Sequence, residues 1–276
     1  MTTALAFDVE KLSQYLELHV TGFVGPIELT KFTGGQSNPT FKVTAQSGVY
    51  VLRSQPAGKL LKSAHAVDRE YQVLDALKNS DVAVAQVYHL CQDTSIIGAM
   101  FYLMEFCDGA VYWRASLPEI SSNDYRSQIY NEMNKSLVAL HRVDLDAVGL
   151  RDYGKAGNYF ERQFGRWTSQ YRATELQQIS AMDNLILWLE KHLPEVMAVL
   201  DWELSTLGHP FSDLAYQCMQ LRMPQGMGTI DGLQGIDRAS LGIPTEAEYV
   251  ASYCQRMGID HIDNWSFYLA FSFFRL

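Results

Sequence analysis

The 276-residue chain lacks the features that would assign it quickly to several common classes of protein. Its four cysteines are widely spaced and form no C-x-x-C or Cys/His cluster, which argues against a zinc site or a disulfide framework. It has no basic tail and a formal net charge of -9, which argues against a protein that coats nucleic acid. No apolar run approaches about 18 residues, so no membrane span is predicted.

The N-terminus also lacks a basic segment ahead of an apolar one, the pattern of a secretory signal. These absences predict a reducing, cytoplasmic setting. Hydrophobic residues make up 47% of the chain and charged residues 19%, ordinary values for a globular protein that buries a large core.

Strand patterns dominate the first part of the chain and helical patterns the rest. A helix is predicted at 9–20, strands at 27–32, 40–44 and 50–53, a helix at 63–78 with Ser63 as N-cap, and strands at 85–92 and 100–106. After Gly109 the pattern becomes helical, with a strong helix at 123–142. This order predicts an α+β fold of two lobes: an antiparallel sheet plus one helix at 1–107, and a mainly helical lobe at 108–276.

A glycine-rich turn separates the first two predicted strands. Backbone amides in such a turn can approach phosphate oxygens, because glycine has no Cβ in the way. The turn consists of Gly34, Gly35, Gln36, Ser37 and Asn38. It matches neither G-x-G-x-x-G nor a Walker A loop, so a plain hairpin turn is an alternative interpretation.

A cation and an acid are predicted to meet between the third strand and the following helix. Arg53 ends that strand, where its guanidinium could face phosphates. Glu70 shares the apolar face of the helix with Val67, Tyr71 and Leu74. A carboxylate on such a face needs a partner, and Arg53 is the natural candidate. The alternative is that Glu70 pairs locally or reaches solvent.

Two further positions carry candidate chemistry. Glu105 and Phe106 end a strand at the predicted lobe boundary, where backbone groups could bind an adenine edge; a simple edge strand is the alternative. Asp201 follows the apolar run 198–200, and an acid at the end of a buried strand is well placed to hold a metal ion. The alternative for Asp201 is a strand that ends in an ordinary turn.

Seven blocks of sequence together resemble the aminoglycoside phosphotransferase family, which shares the protein-kinase-like fold. The resemblance is strongest to the branch that includes the kinase-like N-terminal domain of acyl-CoA dehydrogenase family proteins. The blocks are 32–40, 51–53, 58–71, 101–106, 140–144, 157–160 and 199–210, the last reading Val-Leu-Asp-Trp-Glu-Leu-Ser-Thr-Leu-Gly-His-Pro.

The resemblance implies an enzyme that uses ATP and Mg²⁺ to phosphorylate a hydroxyl group of a small molecule. It implies that Asp201 is the magnesium ligand and Glu70 the helix Glu, with Arg53 where many relatives have Lys. For this branch it also implies a hydroxyacyl group or its CoA thioester as acceptor, with no nucleic-acid or membrane partner.

One departure from the family pattern affects catalysis. Relatives carry a loop resembling His-Gly-Asp-x-x-x-x-Asn before the strand of Asp201, whereas here Pro194 runs directly into Glu195 and no His-Gly-Asp occurs. His141-Arg142-Val143-Asp144 is rejected as a substitute, because it ends a long helix and has no suitably placed Asn. Either the natural polypeptide contains a segment that this sequence lacks, or the chain is a nucleotide-binding pseudokinase. No catalytic base is therefore assigned.

Overall fold

The structure is a computed structural model and describes residues 7–32, 38–56, 65–154, 159–193, 209–226 and 232–276. The chain forms two compact units. The first contains the described residues up to Gly109 together with Asp146–Leu150. The second contains Ala110–Leu145 and the described residues from Arg151 onward.

The first unit is a five-stranded antiparallel sheet with one helix on each face. In chain order its elements are α1 (Val9–His19), β1 (Glu28–Lys31), β2 (Thr40–Ala45), β3 (Gly48–Ser54), α2 (Val67–Leu77), β4 (Val87–Cys91) and β5 (Phe101–Glu105). The strands lie in the order β1-β2-β3-β5-β4, so β5 inserts between β3 and β4.

Alternation along the strands gives the sheet two apolar faces. Helix α1 is capped by Asp8, whose carboxylate accepts from the backbone N–H of Glu10 and Lys11. Its buried residues Leu12 and Leu16 pack against one face of the sheet, in a core completed by Val20, Phe23, Phe41, Val43, Leu52, Cys91, Ile97, Phe101 and Leu103. Helix α2 covers part of the other face, where Val67 packs with Val87 and Tyr102.

The second unit is mainly helical. It contains α3 (Asn123–His141), α4 (Tyr159–Thr174), α5 (Ser180–Lys191), α6 (Pro210–Met219), a short 3₁₀ turn (Ala239–Leu241), α7 (Glu246–Met257) and α8 (Trp265–Phe274). An aromatic core joins α4 to α8, with Phe160 fully buried against Phe267 and Phe271. Among the described residues, no helix is both long and apolar enough to cross a membrane.

The predicted fold class is confirmed, and the elements differ from prediction mainly at their ends. The clearest difference is α2, which begins at Val67 and not at 63. His65 adopts a left-handed φ of +62°, which an α-helix cannot contain, and the N-cap Ala66 has no side-chain cap. Ser63, the predicted N-cap, lies outside the described residues.

Arg126 is the buried charge on which the packing of α3 depends. It is only 7% exposed. Its guanidinium donates to the carbonyl oxygen of Leu241 at 2.8 Å, to Asn123 Oδ1 at 2.6 Å and to the carbonyl oxygens of Leu117 and Ile120. One planar side chain thus satisfies backbone carbonyls from two segments and one side-chain oxygen, which suits Arg and no other side chain.

We expect Arg126→Met to lower the free energy of unfolding by about 2–4 kcal/mol, since it leaves several buried carbonyls without a donor. Arg126→Lys should recover only part of the loss, because an ammonium cannot reproduce the planar fork. Urea denaturation followed by circular dichroism measures both changes.

A matched control lies on the same helix. Lys135 pairs with Glu132 at 2.7 Å, and both side chains are exposed. Lys135→Met should leave the denaturation midpoint nearly unchanged. An equal loss in the two Met variants would contradict the role given to Arg126.

Candidate functional site

The ion pair predicted between Arg53 and Glu70 is present. Arg53 Nε donates to Glu70 Oε2 at 2.9 Å, and the two side chains are 26% and 14% exposed. Arg53 comes from β3, whose alternation turns it to the face that α2 covers, and Glu70 lies in the first turn of α2. Partial burial strengthens this pair relative to a surface ion pair.

Tyr102 extends the pair across the sheet. The register places Arg53 opposite Thr40 of β2 and opposite Tyr102 of β5, so the three residues form one cross-strand row. Tyr102 is 1% exposed. Burial, and next the negative charge of Glu70, raise the pKa of its hydroxyl. The hydroxyl therefore stays protonated beside the ion pair.

Asn38, the last residue of the glycine-rich turn, contacts the residue that precedes α2. Its Oδ1 lies 2.9 Å from His65 Nδ1, and the backbone carbonyl of His65 accepts from Gln55 Nε2 at 3.1 Å. Asn38 is 3% exposed, and among the described residues its Nδ2 has no hydrogen-bond partner. This buried group can therefore still donate a hydrogen bond to a ligand oxygen.

Glu105 and Phe106 lie at the C-terminal end of β5. The backbone N–H of Glu105 donates to the Gln86 carbonyl at 2.8 Å, and its carboxylate accepts from the Gln86 N–H at 3.1 Å. The N–H of Glu105 is thus already paired within the sheet. The ring of Phe106 lies 4.7 Å from Lys42 Nζ, in a cation–π contact.

In the second unit, His141 packs inside the helical core, and its rejection as part of a catalytic loop stays a prediction. Its side chain is fully buried at the end of α3. Nδ1 lies 2.8 Å from the Tyr253 hydroxyl, and Nε2 lies 3.4 Å from Asp213 Oδ2 on α6. His209 begins α6, and burial, followed by the charge of His141, lowers its pKa to about 4.

Several predicted site residues lie outside the described residues. These are Gly34, Gly35, Gln36, Ser37 and Asp201, and also the Pro194–Glu195 junction. Within the described ranges, no group of three His, Cys, Asp or Glu side chains could hold a metal ion. The roles of Asp201 and of the glycine-rich turn therefore stay predictions from sequence.

Sequence reasoning misses the positions of Tyr102 and His65. Tyr102 lies opposite Arg53 only because β5 pairs with β3 across an intervening helix and strand, and no local pattern reveals that pairing. The sequence predicts His65 as part of a helix, and α2 begins two residues later.

Comparison with known proteins gives a family. The model of the phosphotransferase enzyme family (APH) matches residues 28–196. Mouse acyl-CoA dehydrogenase family member 10 is 46% identical over 297 residues, which cover 99% of this chain and 28% of that protein. Mouse family member 11 is 38% identical, with 98% of this chain and 38% of that protein covered. The chain thus spans well under half the length of these relatives.

Solved structures agree with the family model. A Ralstonia eutropha protein named as an aminoglycoside phosphotransferase has a TM-score of 0.85 and 46% identity, over 98% of this chain and 86% of that one. A spectinomycin phosphotransferase solved with ADP and spectinomycin has a TM-score of 0.56 at 11% identity, over 97% and 85% of the two chains, and supports the fold alone. The match over more than half of the chain, with these relatives, establishes that the chain belongs to the APH phosphotransferase enzyme family.

Proposed function

We propose that this chain is an ATP- and Mg²⁺-dependent phosphotransferase that acts on a hydroxyl group of a small molecule. The observation that carries the proposal is the half-buried ion pair of Arg53 and Glu70 in a chain of the phosphotransferase family. Glu70 fixes the Arg53 guanidinium through the 2.9 Å hydrogen bond, and a guanidinium is the side chain best suited to phosphate oxygens. ATP is the proposed donor because the chain belongs to the phosphotransferase enzyme family.

Each of the other candidate site residues also has a proposed role. Residues 1–107 form the nucleotide-binding lobe, in which backbone amides of Gly34, Gly35, Gln36 and Ser37 and the side chain of Asn38 contact phosphates. Glu105 and Phe106 offer backbone groups to the base, with the carbonyl of Glu105 more suitable than its paired N–H. Residues 108–276 supply the acceptor site and Asp201, whose carboxylate would hold Mg²⁺. The metal would neutralise phosphate charge during transfer.

The acceptor proposal rests on the relatives. Both mouse proteins are named as acyl-CoA dehydrogenase family members, and this chain spans only part of each. A hydroxyacyl group or its CoA thioester is the acceptor that such a neighbouring activity favours. We further propose that the reaction takes place in the cytoplasm.

A nucleotide-binding pseudokinase is the second candidate, favoured by the missing His-Gly-Asp. The alignment with mouse family member 10 extends over 297 residues, 21 more than the 276 of this chain. The relative therefore carries at least that many residues for which this sequence has no counterpart. A missing catalytic loop would account for part of the difference.

Arg53→Met should raise the dissociation constant for ATP about tenfold or more, since it removes a cation held against the phosphates. Adenosine binding should change little, because adenosine has no phosphate. Glu70→Gln should act in the same direction, more weakly, because it frees Arg53 without removing it. Isothermal titration calorimetry with ATP and adenosine measures these effects.

Lys78→Met is the matched control for Arg53→Met. Lys78 caps the C-terminal end of α2 and pairs with Asp75 at 2.8 Å on the surface. Its removal should leave both affinities unchanged. If Arg53→Met bound ATP as tightly as this control, Arg53 would have no part in phosphate binding.

Asp201→Asn should abolish Mg²⁺-dependent phosphoryl transfer, because it removes the charge that would hold the metal. The far-UV circular dichroism spectrum should be preserved, because the two side chains have nearly the same size and shape. Transfer is measured by ADP release with a panel of hydroxyacyl-CoA acceptors. Undiminished turnover would remove Asp201 from the mechanism.

The mass of the protein isolated from its natural source separates the two candidate functions. The 276 residues correspond to 31.2 kDa. For a working phosphotransferase we expect a larger mass, by the weight of a loop, with the additional peptide mapped before residue 201 and containing an Asp. A mass of 31.2 kDa would favour the pseudokinase.

A further inference from the structure

We propose that His65 is a positioning residue of the nucleotide site, which holds Asn38 so that the Asn38 Nδ2 group donates a hydrogen bond to a phosphate oxygen. The inference rests on the nucleotide binding proposed above and names a residue that this function did not include. Asn38, His65 and Gln55 are called the polar clasp below.

The backbone places Asn38 near the row that contains Arg53. Thr40, the first residue of β2, pairs with Arg53 in the β2–β3 register, and Asn38 precedes Thr40 by two residues. The backbone on its C-terminal side is fixed: the Asn38 carbonyl accepts from Thr40 Oγ1 at 3.0 Å, and the Pro39 carbonyl accepts from the Ser54 N–H at 2.9 Å. Asn38 therefore lies two residues along the chain from the strand partner of the cation that the proposed site uses.

The hydrogen bond to His65 sets the orientation of the Asn38 amide. A carboxamide oxygen only accepts, so His65 Nδ1, 2.9 Å from Asn38 Oδ1, carries the proton and donates it. The other end of the amide, Nδ2, is then turned away from His65. Nδ2 is buried and has no hydrogen-bond partner within the part of the chain that the structure describes, and a buried donor in that state costs free energy until an acceptor binds.

His65 is itself rigidly held. Its carbonyl accepts from Gln55 Nε2 at 3.1 Å and from the Val67 N–H at 2.9 Å. Its φ of +62° is strained for a histidine and is compensated by these contacts. The polar clasp therefore connects the start of β2 and the end of β3 to the segment before α2. Thr40, Arg53 and Glu70 lie on the same three elements, in the next row of the sheet.

An anionic oxygen is the ligand chemistry that fits this arrangement. Asn38 Nδ2 can only donate, so neither a magnesium ion nor another donor would satisfy it. Glu70, the acid of α2 that meets β3, is already paired with Arg53 at 2.9 Å. A phosphate oxygen that approaches Arg53 would meet a second, neutral donor at Asn38.

The test compares ADP with adenosine in a double-mutant cycle of His65→Gly and Asn38→Ala. Glycine suits the φ of +62°, so His65→Gly removes the ring without adding backbone strain. Calorimetry on the full chain should give an about tenfold weaker ADP affinity for each single variant, with adenosine affinity unchanged. The double variant should be no weaker than Asn38→Ala alone, because His65 acts only through Asn38.

His89→Ala is the control for loss of a hydrogen-bonded histidine in the same unit. His89 lies on β4, with Nε2 2.9 Å from the Tyr15 hydroxyl of α1. This variant should lower thermal stability without changing the ratio of adenosine to ADP affinities. A purely structural role for His65 would give the same result as His89→Ala.

Three outcomes would overturn the inference. The first is equal weakening of adenosine and ADP binding by His65→Gly. The second is a double variant whose ADP affinity falls by the product of the two single fold-changes. The third is an unchanged affinity ratio in Asn38→Ala, which also decides the case if His65→Gly does not fold. If the wild-type chain bound neither ligand, the proposed nucleotide-binding function itself would fail, a result distinct from these three.

Discussion

The ion pair between Arg53 and Glu70 is the constraint around which the first unit is arranged. Taking charges out of water is expensive, and well-packed apolar residues in place of such a pair are often equally stable or more so. The Arg53–Glu70 pair, in which Glu70 is only 14% exposed, therefore adds little to the free energy of unfolding by itself. The burial of Glu70 is understandable if its role is to hold Arg53 for a ligand.

The antiparallel sheet allows this arrangement because its two faces are separate environments. Leu52 and Arg53 are neighbours on β3, and they point to opposite faces. Leu52 is fully buried in the core that α1 covers, whereas Arg53 meets α2. A one-residue slip of β3 would place the arginine in an apolar core and the leucine beside Glu70. The hydrophobic pattern that fixes the register thus also fixes the position of the charge.

Local periodicity was enough to predict most elements and one of the central contacts. The 3.6-residue repeat placed Glu70 on the buried face of α2, and the need of a buried acid for a partner then identified Arg53. The start of α2 could not be predicted in this way, since it depends on the left-handed conformation of His65, which contacts with Gln55 and Asn38 stabilise. Tyr102 was missed for a similar reason, because the pairing of β5 with β3 spans about fifty residues of sequence and has no local signal.

The missing catalytic loop affects nucleotide binding and phosphoryl transfer differently. Phosphoryl transfer needs little covalent work from the protein, and most of the catalysis comes from positioning and from neutralising charge. A general base contributes typically about 10²–10⁴ in rate. The Arg53–Glu70 pair and the polar clasp belong to the positioning part, and neither needs a base to bind a nucleotide. A chain with this part intact and no base would still bind ATP and would transfer phosphate slowly, so nucleotide affinity alone cannot distinguish the enzyme from the pseudokinase.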